Sequence, residues 1–322
     1  MGDPAGIGPE IIVKALDKKE IRDLGDLIVL GDKKVLEDAA QFSKVKREIN
    51  SLNEDLSNYQ KGKINVYDQD NVDLDSLEMG KIQAKAGQAS FEYIKMATEM
   101  ALERKIDAVV TAPINKEALK AANVEYIGHT EMLGDLTDTD YPLTMFQVLS
   151  LRVFFLTRHM SLIEACKAIT EEKIYKGIEE SAAALENLGV ENPKMAVAAL
   201  NPHAGEHGLF GNEEVEEITP AIEKAQKEGY NVVGPVPADS VFHFGLKGKY
   251  DAVLSLYHDQ GHIATKMVDF EKTISITNNL PFLRTSVDHG TAFDIAGKNK
   301  ASSVSMEEGI RLAFEYAPYF NK

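Results

Sequence analysis

The sequence predicts an α/β protein built on a largely parallel sheet, and three observations carry that prediction. Short β-branched runs alternate with longer helical stretches along nearly the whole chain. Several apolar runs stop abruptly in polar clusters, as strands of a parallel sheet do at a functional edge. The 322 residues contain no Pro/Gly/Ser linker, repeat or low-complexity tract, so one large or two medium domains must form without a visible seam.

Taken in order, the chain opens on MGDPAGIGPEII, a Gly-rich run entering a helix with Pro9 in a first-turn position. It is neither GxGxxG nor a P-loop, because Gly6-x-Gly8 is followed by Pro9 and Glu10. A close backbone approach to a ligand and a tight turn capping the helix explain it equally well. Strands are expected at DLIVLG (26–31) and KINVYD (63–68), with the polar SLNEDLSNYQKG (51–62) as a surface excursion. A helical stretch over 80–105 precedes the strand IDAVVTAP (106–113). RVFFLT (152–157) leads to SLIEACKAI, an amphipathic helix in which Cys166 reads as a small buried thiol. The helix over 171–189 ends with Gly189 placed for an αL cap. KMAVAAL (194–200), YDAVLSLY (250–257) and TISIT (273–277) complete the expected strands.

Composition narrows the function. Hydrophobic residues make up 44% and charged residues 27%, an ordinary globular balance, but the net charge is −16 and the pI about 5.0. That argues against a nucleic-acid or acidic-membrane surface, and an anionic substrate would need a locally positive pocket. The single cysteine rules out an intramolecular disulfide and a Cys-based zinc site. No apolar stretch approaches the roughly 20 residues that span a bilayer, and no basic segment follows Met1, so a cytoplasmic location is expected.

The chemistry collects where strands stop. IDAVV runs into TAPINKEAL, RVFFL into TRHMSL, KMAVAAL into NPHAGEHGLFGNEE and DAVLSL into YHDQGH. Three of these ends carry a histidine: His159, His203 and His258. Strand ends of a parallel sheet lie on one side, so these distant residues can converge. Three neutral imidazoles suit zinc or a similar divalent ion, while the alternative for each is a hydrogen-bonding loop histidine. His203 and His207, like His258 and His262, have i, i+4 spacing. Gly205 and Gly208 interrupt the first pair, and Gly261 lies inside the second. Neither has the Glu of HExxH, which excludes a metalloprotease.

For anions, Lys266 follows His258 by eight residues, and Arg284 sits in NNLPFLRTSVDHGTAFDIAG. There Arg284, Thr285, Ser286, Asp288 and His289 lead through Gly290 into an expected helix. An arginine and hydroxyls ahead of a helix N-terminus suit phosphate or carboxylate; a salt-bridged loop arginine is the alternative. His129 and Thr130 in GHTEMLGDLT offer themselves in the same manner.

The ordered set GDPAGIGPEI, TAPINKEAL, GHTE, NPHAGE, GPVPADSVF, YHDQG and LPFLRTSVDHGTAFDIAG resembles the 4-hydroxythreonine-4-phosphate dehydrogenases of vitamin B6 biosynthesis, across nearly the whole chain. The resemblance implies a two-domain α/β/α fold similar to isocitrate and isopropylmalate dehydrogenases, with the active site in the interdomain cleft. The domains would cover 1–130 plus 290–322, and 131–289, the second carrying most metal and substrate residues. It implies NAD bound without the Rossmann fingerprint, and a homodimer whose divalent metal site (Zn, Mg or Co) takes histidines from both subunits. The implied ligands are His159, His203 and His258. Substrate contacts fall on His129, Thr130, Lys266 and Arg284, with Ser275 standing where the family usually has Asn. Lys266 or Asp259 would assist proton transfer. The implied reaction oxidises the C3 hydroxyl of 4-phosphohydroxy-L-threonine, then decarboxylates it to 3-amino-2-oxopropyl phosphate. HDQGHI and EHGLFGNEE look closer to the branch acting on 4-phospho-D-threonate or 4-phospho-D-erythronate, which gives dihydroxyacetone phosphate. A metal-dependent hydrolase using the same histidines is the rival class; its usual bridging carboxylates are represented only by Asp259. Relatives usually open with a short strand ahead of GDPAG, so the chain is expected to begin inside the family's pattern.

Overall fold

The computed structural model describes residues 1–126 and 128–320. In chain order the elements begin with α1 (Gly8–Asp17), α2 (Lys19–Arg22), β1 (Ile28–Gly31), α3 (Lys33–Phe42), β2 (Ile49–Ser51) and β3 (Ile64–Asp68). They continue with α4 (Ala84–Leu102), β4 (Ala108–Thr111), α5 (Lys116–Ala121), α6 (His129–Leu136), β5 (Leu143–Val148), β6 (Leu151–Phe155), α7 (Leu162–Lys167) and α8 (Glu171–Asn187). The remainder is β7 (Met195–Ala198), α9 (Thr219–Lys227), β8 (Val232–Val236), α10 (Ala238–Leu246), β9 (Ala252–Ser255), α11 (His258–Val268), β10 (Ile274–Asn278), β11 (Leu283–Val287) and α12 (Val304–Tyr316). Each of the seven expected strands is present, and the alternation is α/β throughout. No helix among the described residues is long and apolar enough to cross a membrane.

Two compact units emerge: Met1–Pro142 with Leu280–Pro318, and Leu143–Asn279 with Tyr319 and Phe320. The changeovers therefore fall after Pro142 and Asn279 rather than at the expected 130/131 and 289/290. The reason is local: α6 packs on α4 and β11 pairs with β4, which ties both to the first unit.

In the first unit, β1, β3 and β2 form a parallel three-stranded sheet, and β11 lies parallel to β4. Ile11, Ile21, Leu36, Ile64 and Val66 are buried at its core. Asp32 starts α3 as an N-cap, its Oδ1 accepting from Lys34 N at 2.9 Å. A largely apolar cavity of about 700 Å³ lies among β1, β4, α4 and α12. His129 and Thr111 are among its lining residues.

The second unit's sheet has the order β10-β5-β6-β9-β7-β8. Strands β6, β9, β7 and β8 are parallel, whereas β5 is antiparallel to both β6 and β10. The sheet is thus mixed, with the parallel pairs in the majority. Only Leu149 and Ser150 separate β5 from β6, and a two-residue connection permits only an antiparallel pair. Gly189 takes φ +84°, the left-handed conformation expected beyond the end of α8. Cys166 corrects its expectation: it is half-exposed, because α7 is a six-residue helix that buries only Ala165.

Candidate active site

Within the second unit, β6, β9 and β7 are adjacent and parallel, so the segments after them leave from one edge. Those segments carry His159, His258 and His203 respectively. Two side-chain clamps hold the edge. Thr157 Oγ1 donates to Leu256 O at 2.8 Å, joining the ends of β6 and β9. Gln260 Nε2 donates to Ala199 O at 2.8 Å while its Oε1 accepts from Leu256 N at 2.8 Å, joining β9 and α11 to the end of β7.

His258 is the first residue of α11, with Tyr257 as the extended N-cap. Its ring centroid lies 6.1 Å from that of His159. At a metal–nitrogen distance of about 2.1 Å, two imidazoles sharing an ion have centroids roughly 4.5–6.5 Å apart, so this pair fits a common cation. His258 Nδ1 is 2.7 Å from Asp259 Oδ1, and His203 Nδ1 is 2.7 Å from Glu206 Oε1. A carboxylate on Nδ1 fixes the tautomer and leaves Nε2 for a ligand, the usual outer-shell arrangement of metal-binding histidines. Asp259 is thereby placed as an orienter of His258.

His203 itself is not gathered with the other two. It begins a run, His203 to His207, in which all five residues have φ between +42° and +74°. Left-handed backbone costs non-glycine residues roughly 1–2 kcal/mol each, so something must hold this loop. The buried Glu214 does: its carboxylate accepts from Leu200 N at 2.8 Å, Asn201 N at 2.6 Å and Asn201 Nδ2 at 2.8 Å. Among the described residues, no group of three or more His, Cys, Asp and Glu side chains is arranged to hold a metal ion. Of the three expected ligands, His159 and His258 are the pair with rings near enough to share an ion.

α11 runs unbroken through Gly261, so the residue expected to interrupt the second i, i+4 pair instead permits it. A Cβ at Gly261 would lie 2.5 Å from Phe155 Cε1 and 2.9 Å from Val153 Cγ1, and its absence lets α11 settle on β6. His258, His262 and Lys266 then fall at i, i+4 and i+8 on one helix face. His262 stacks on His258 at 4.0 Å and on Phe155 at 4.6 Å, with Phe146 edge-on at 4.3 Å. Burial draws the His262 imidazole down to about 4, and neighbouring His258 adds to this. Lys266 lies 5.2 Å from the centre of the Phe270 ring. Ser275 on β10 is paired with Phe146 on β5. Directly opposed residues share a sheet face, so Ser275 stands on the face that carries α11.

The first unit holds the other expected contacts. Arg284 is on β11 and buried, its Nε and Nη2 donating to Thr111 Oγ1 at 3.1 and 2.7 Å. Burial draws its guanidinium down to about 10, which leaves it charged at neutral pH. Burial and then the Arg284 cation hold the His129 imidazole well below its ordinary value. Thr130 follows His129 in the first turn of α6. The helix expected just after Gly290 does not form; a loop of turns runs to α12. Arg284 thus works from a strand, not ahead of a helix. In TAPINKEAL, Thr111 holds Arg284 and Asn115 caps α5 by accepting from Ala118 N at 2.9 Å. The N-terminal glycines serve packing: Cβ atoms at Gly6 and Gly8 would lie 2.9 Å from Thr291 Cβ and 2.4 Å from Met1 O. That segment is a tight turn, with Asp3 Oδ1 accepting from Ala5 N at 2.8 Å.

Sequence reasoning missed Glu214 and His262. The first had a faint signal in the acidic pair after Gly211-Asn212; the second had its spacing from His258.

A close histidine pair at one strand edge and a buried arginine in an acidic chain suit an α/β enzyme for small anionic substrates. The chain belongs to the family described as pyridoxal phosphate biosynthetic protein PdxA, which it matches over residues 23–313. It is a dehydrogenase of that type, with the isocitrate dehydrogenase-like fold of those enzymes. A Fusobacterium nucleatum protein provisionally named D-threonate 4-phosphate dehydrogenase is 63% identical over 321 residues, covering 99% of this chain and 96% of the relative. A Clostridium botulinum protein with the same provisional name is 58% identical over 323 residues, covering 100% of this chain and 97% of its own length. The crystal structure of 4-hydroxythreonine-4-phosphate dehydrogenase from Klebsiella pneumoniae superposes with a TM-score of 0.89 at 41% identity, covering 98% of each chain.

Proposed function

We propose that this protein is an NAD- and divalent-metal-dependent dehydrogenase that oxidises the C3 hydroxyl of D-threonate 4-phosphate and decarboxylates the product to dihydroxyacetone phosphate. The observation that carries the substrate choice is 63% identity over 99% of the chain to the Fusobacterium relative of that name, against 41% for the Klebsiella enzyme. 4-Phosphohydroxy-L-threonine, which would yield 3-amino-2-oxopropyl phosphate, is the second reading, supported by the same motifs. The two acids differ at C2, hydroxyl against ammonium.

When bound, NAD supplies the hydride acceptor, and the cation supplies positive charge against the developing anionic character of the oxidised and decarboxylating carbon skeleton. His159 and His258 hold the cation, with Asp259 and Glu206 orienting His258 and His203. Arg284 and Lys266 bind the anionic ends of the substrate, with His129, Thr130 and Ser275 as hydrogen-bonding contacts. Lys266 is also the candidate for moving the proton. NAD itself rests on family membership alone.

The protein acts as a homodimer, His159 and His258 of one protomer joined by the partner subunit's His203. Two observations support this. One protomer brings only two of the three histidines together, and an exposed apolar side chain follows each of the three along the chain. Ile163 stands 68% exposed after His159, Leu209 69% after His203, and Met267 80% after His258. A second copy seated there would bury these side chains and supply the third ligand.

NADH formation with metal, NAD and each acid tests the reading. D-threonate 4-phosphate should show at least tenfold higher kcat/KM. A preference for 4-phosphohydroxy-L-threonine would reverse the assignment, and phosphate release without NADH would replace the dehydrogenase with the hydrolase.

A further inference from the structure

His262 has no role so far, yet its surroundings are unusual for a core histidine. It lies one turn from His258 and one turn from Lys266 on the same face of α11. The ring is fixed on three sides by His258, Phe155 and Phe146. Its Nδ1 is buried and has no hydrogen-bond partner among the described residues. No described protein group bonds its Nε2 either, and that atom, unlike Nδ1, is not sealed from solvent.

The chemistry of the ring follows from this enclosure. A hydrogen placed on Nδ1 would be buried without an acceptor, which is costly. Of the two neutral tautomers, the one with hydrogen on Nε2 leaves only a lone pair in the apolar enclosure and puts the donor at the accessible atom. Stacking also excludes His262 as a ligand sharing an ion with His258, since the rings meet face to face at an interplanar angle of 28°.

We propose that His262 is a specificity-determining residue whose Nε2–H is presented to the substrate between His258 and Lys266 and favours an oxygen over an ammonium group at C2. This rests on the proposed function of the same site. A fixed donor gains a hydrogen bond from a hydroxyl or carboxylate oxygen. An ammonium offers no acceptor, and it would leave that donor desolvated and unpaired. Ser275, on the same sheet face, is neutral as well and adds no counter-charge for an amine.

The test compares His262→Phe and His262→Gln with the unaltered metal-loaded enzyme. Phe keeps the flat ring and roughly the volume but removes both nitrogens; Gln restores a side-chain N–H. In His262→Phe, KM for D-threonate 4-phosphate should rise at least tenfold with kcat within threefold. KM for 4-phosphohydroxy-L-threonine should stay within threefold or fall, and metal affinity by chelator competition should be unchanged. His262→Gln should recover part of the loss. Equal losses with both acids, or a metal affinity that falls with the nitrogen, would reduce His262 to a structural or ligating residue and overturn the proposal. If His262→Phe does not fold, His262→Gln and His262→Leu are compared instead. Discrimination between the acids retained in the Gln variant and lost in the Leu variant supports the proposal; no difference between the two overturns it. Failure of the unaltered enzyme to oxidise either acid would refute the functional reading instead, which keeps the two failures apart.

Discussion

Arg284 and His258 show how single side chains set this site. Arg284 is a buried cation in a chain of net charge −16, held by Thr111 on the neighbouring strand. Its planar fork suits bidentate binding of phosphate or carboxylate, which a lysine ammonium cannot reproduce. Arg284→Lys should therefore raise KM for the phosphorylated acid about tenfold or more, the equivalent of about 1.5–3 kcal/mol for a charge-assisted bond, with a smaller change in kcat. Steady-state kinetics decides it, and an unchanged KM would remove Arg284 from the anion pocket. His258 stands at the helix start with Asp259 on Nδ1 and His159 within reach of a shared ion. His258→Ala should lose most bound metal, read by elemental analysis, and activity with it, while thermal unfolding stays cooperative. His207→Ala and His243→Ala, at residues outside the proposed ligand set, should retain both.

Two of the elements hold these residues, and each has a weak point. α11 reaches β6 only because position 261 is glycine. Gly261→Ala forces a methyl against Phe155, which is itself stacked on His262, so relief would disturb the ring column. A loss of about 1–3 kcal/mol in chemical denaturation is expected, as for overpacked cores, together with reduced turnover. The His203 loop depends on Glu214. Glu214→Ala leaves the Leu200 and Asn201 donors unpaired at a buried point and should cost about 2–4 kcal/mol, with Gln losing less because it can still accept. The same elements mark what the sequence could and could not disclose. Runs such as DAVLSL and RVFFL announced β9 and β6, and their polar ends announced His258 and His159. β11 was hidden because LRTSV carries Arg284 and Thr285, which bond inside the protein to Thr111 Oγ1 at 2.7 Å and to Gly309 O at 2.8 Å. β8 was hidden by Gly234 and Pro235, tolerated because it is the edge strand of its sheet. β2 is only three residues long, too short for a periodic signal. His262 was obscured by Gly261, which reads as a helix breaker in sequence and proves to be a packing contact.

At the scale of the whole molecule, the histidines pose a counting problem that the proposed dimer would solve. One protomer supplies His159 and His258 as a close pair, holds His203 on its own clamped loop, and leaves apolar side chains exposed on the segments that follow all three. If the partner's His203 completes each site, a dimer has two sites, each needing His159 and His258 from one chain and His203 from the other. Mixing a His203→Ala homodimer with a His258→Ala homodimer should then restore activity. In the heterodimer one site combines the intact His159–His258 pair of the first chain with the intact His203 of the second, while the other site lacks both. With random subunit exchange, half the dimers are mixed and each carries one complete site, so recovery should approach about a quarter of the unaltered enzyme. A His159→Ala and His258→Ala mixture should not recover, because both losses fall on the same pair and neither chain carries it whole. Subunit exchange is verified separately with differently tagged chains. Recovery in the second mixture and not the first would mean that His159 and His258 act from different subunits. No recovery in either, with exchange demonstrated, would place the whole site within one chain.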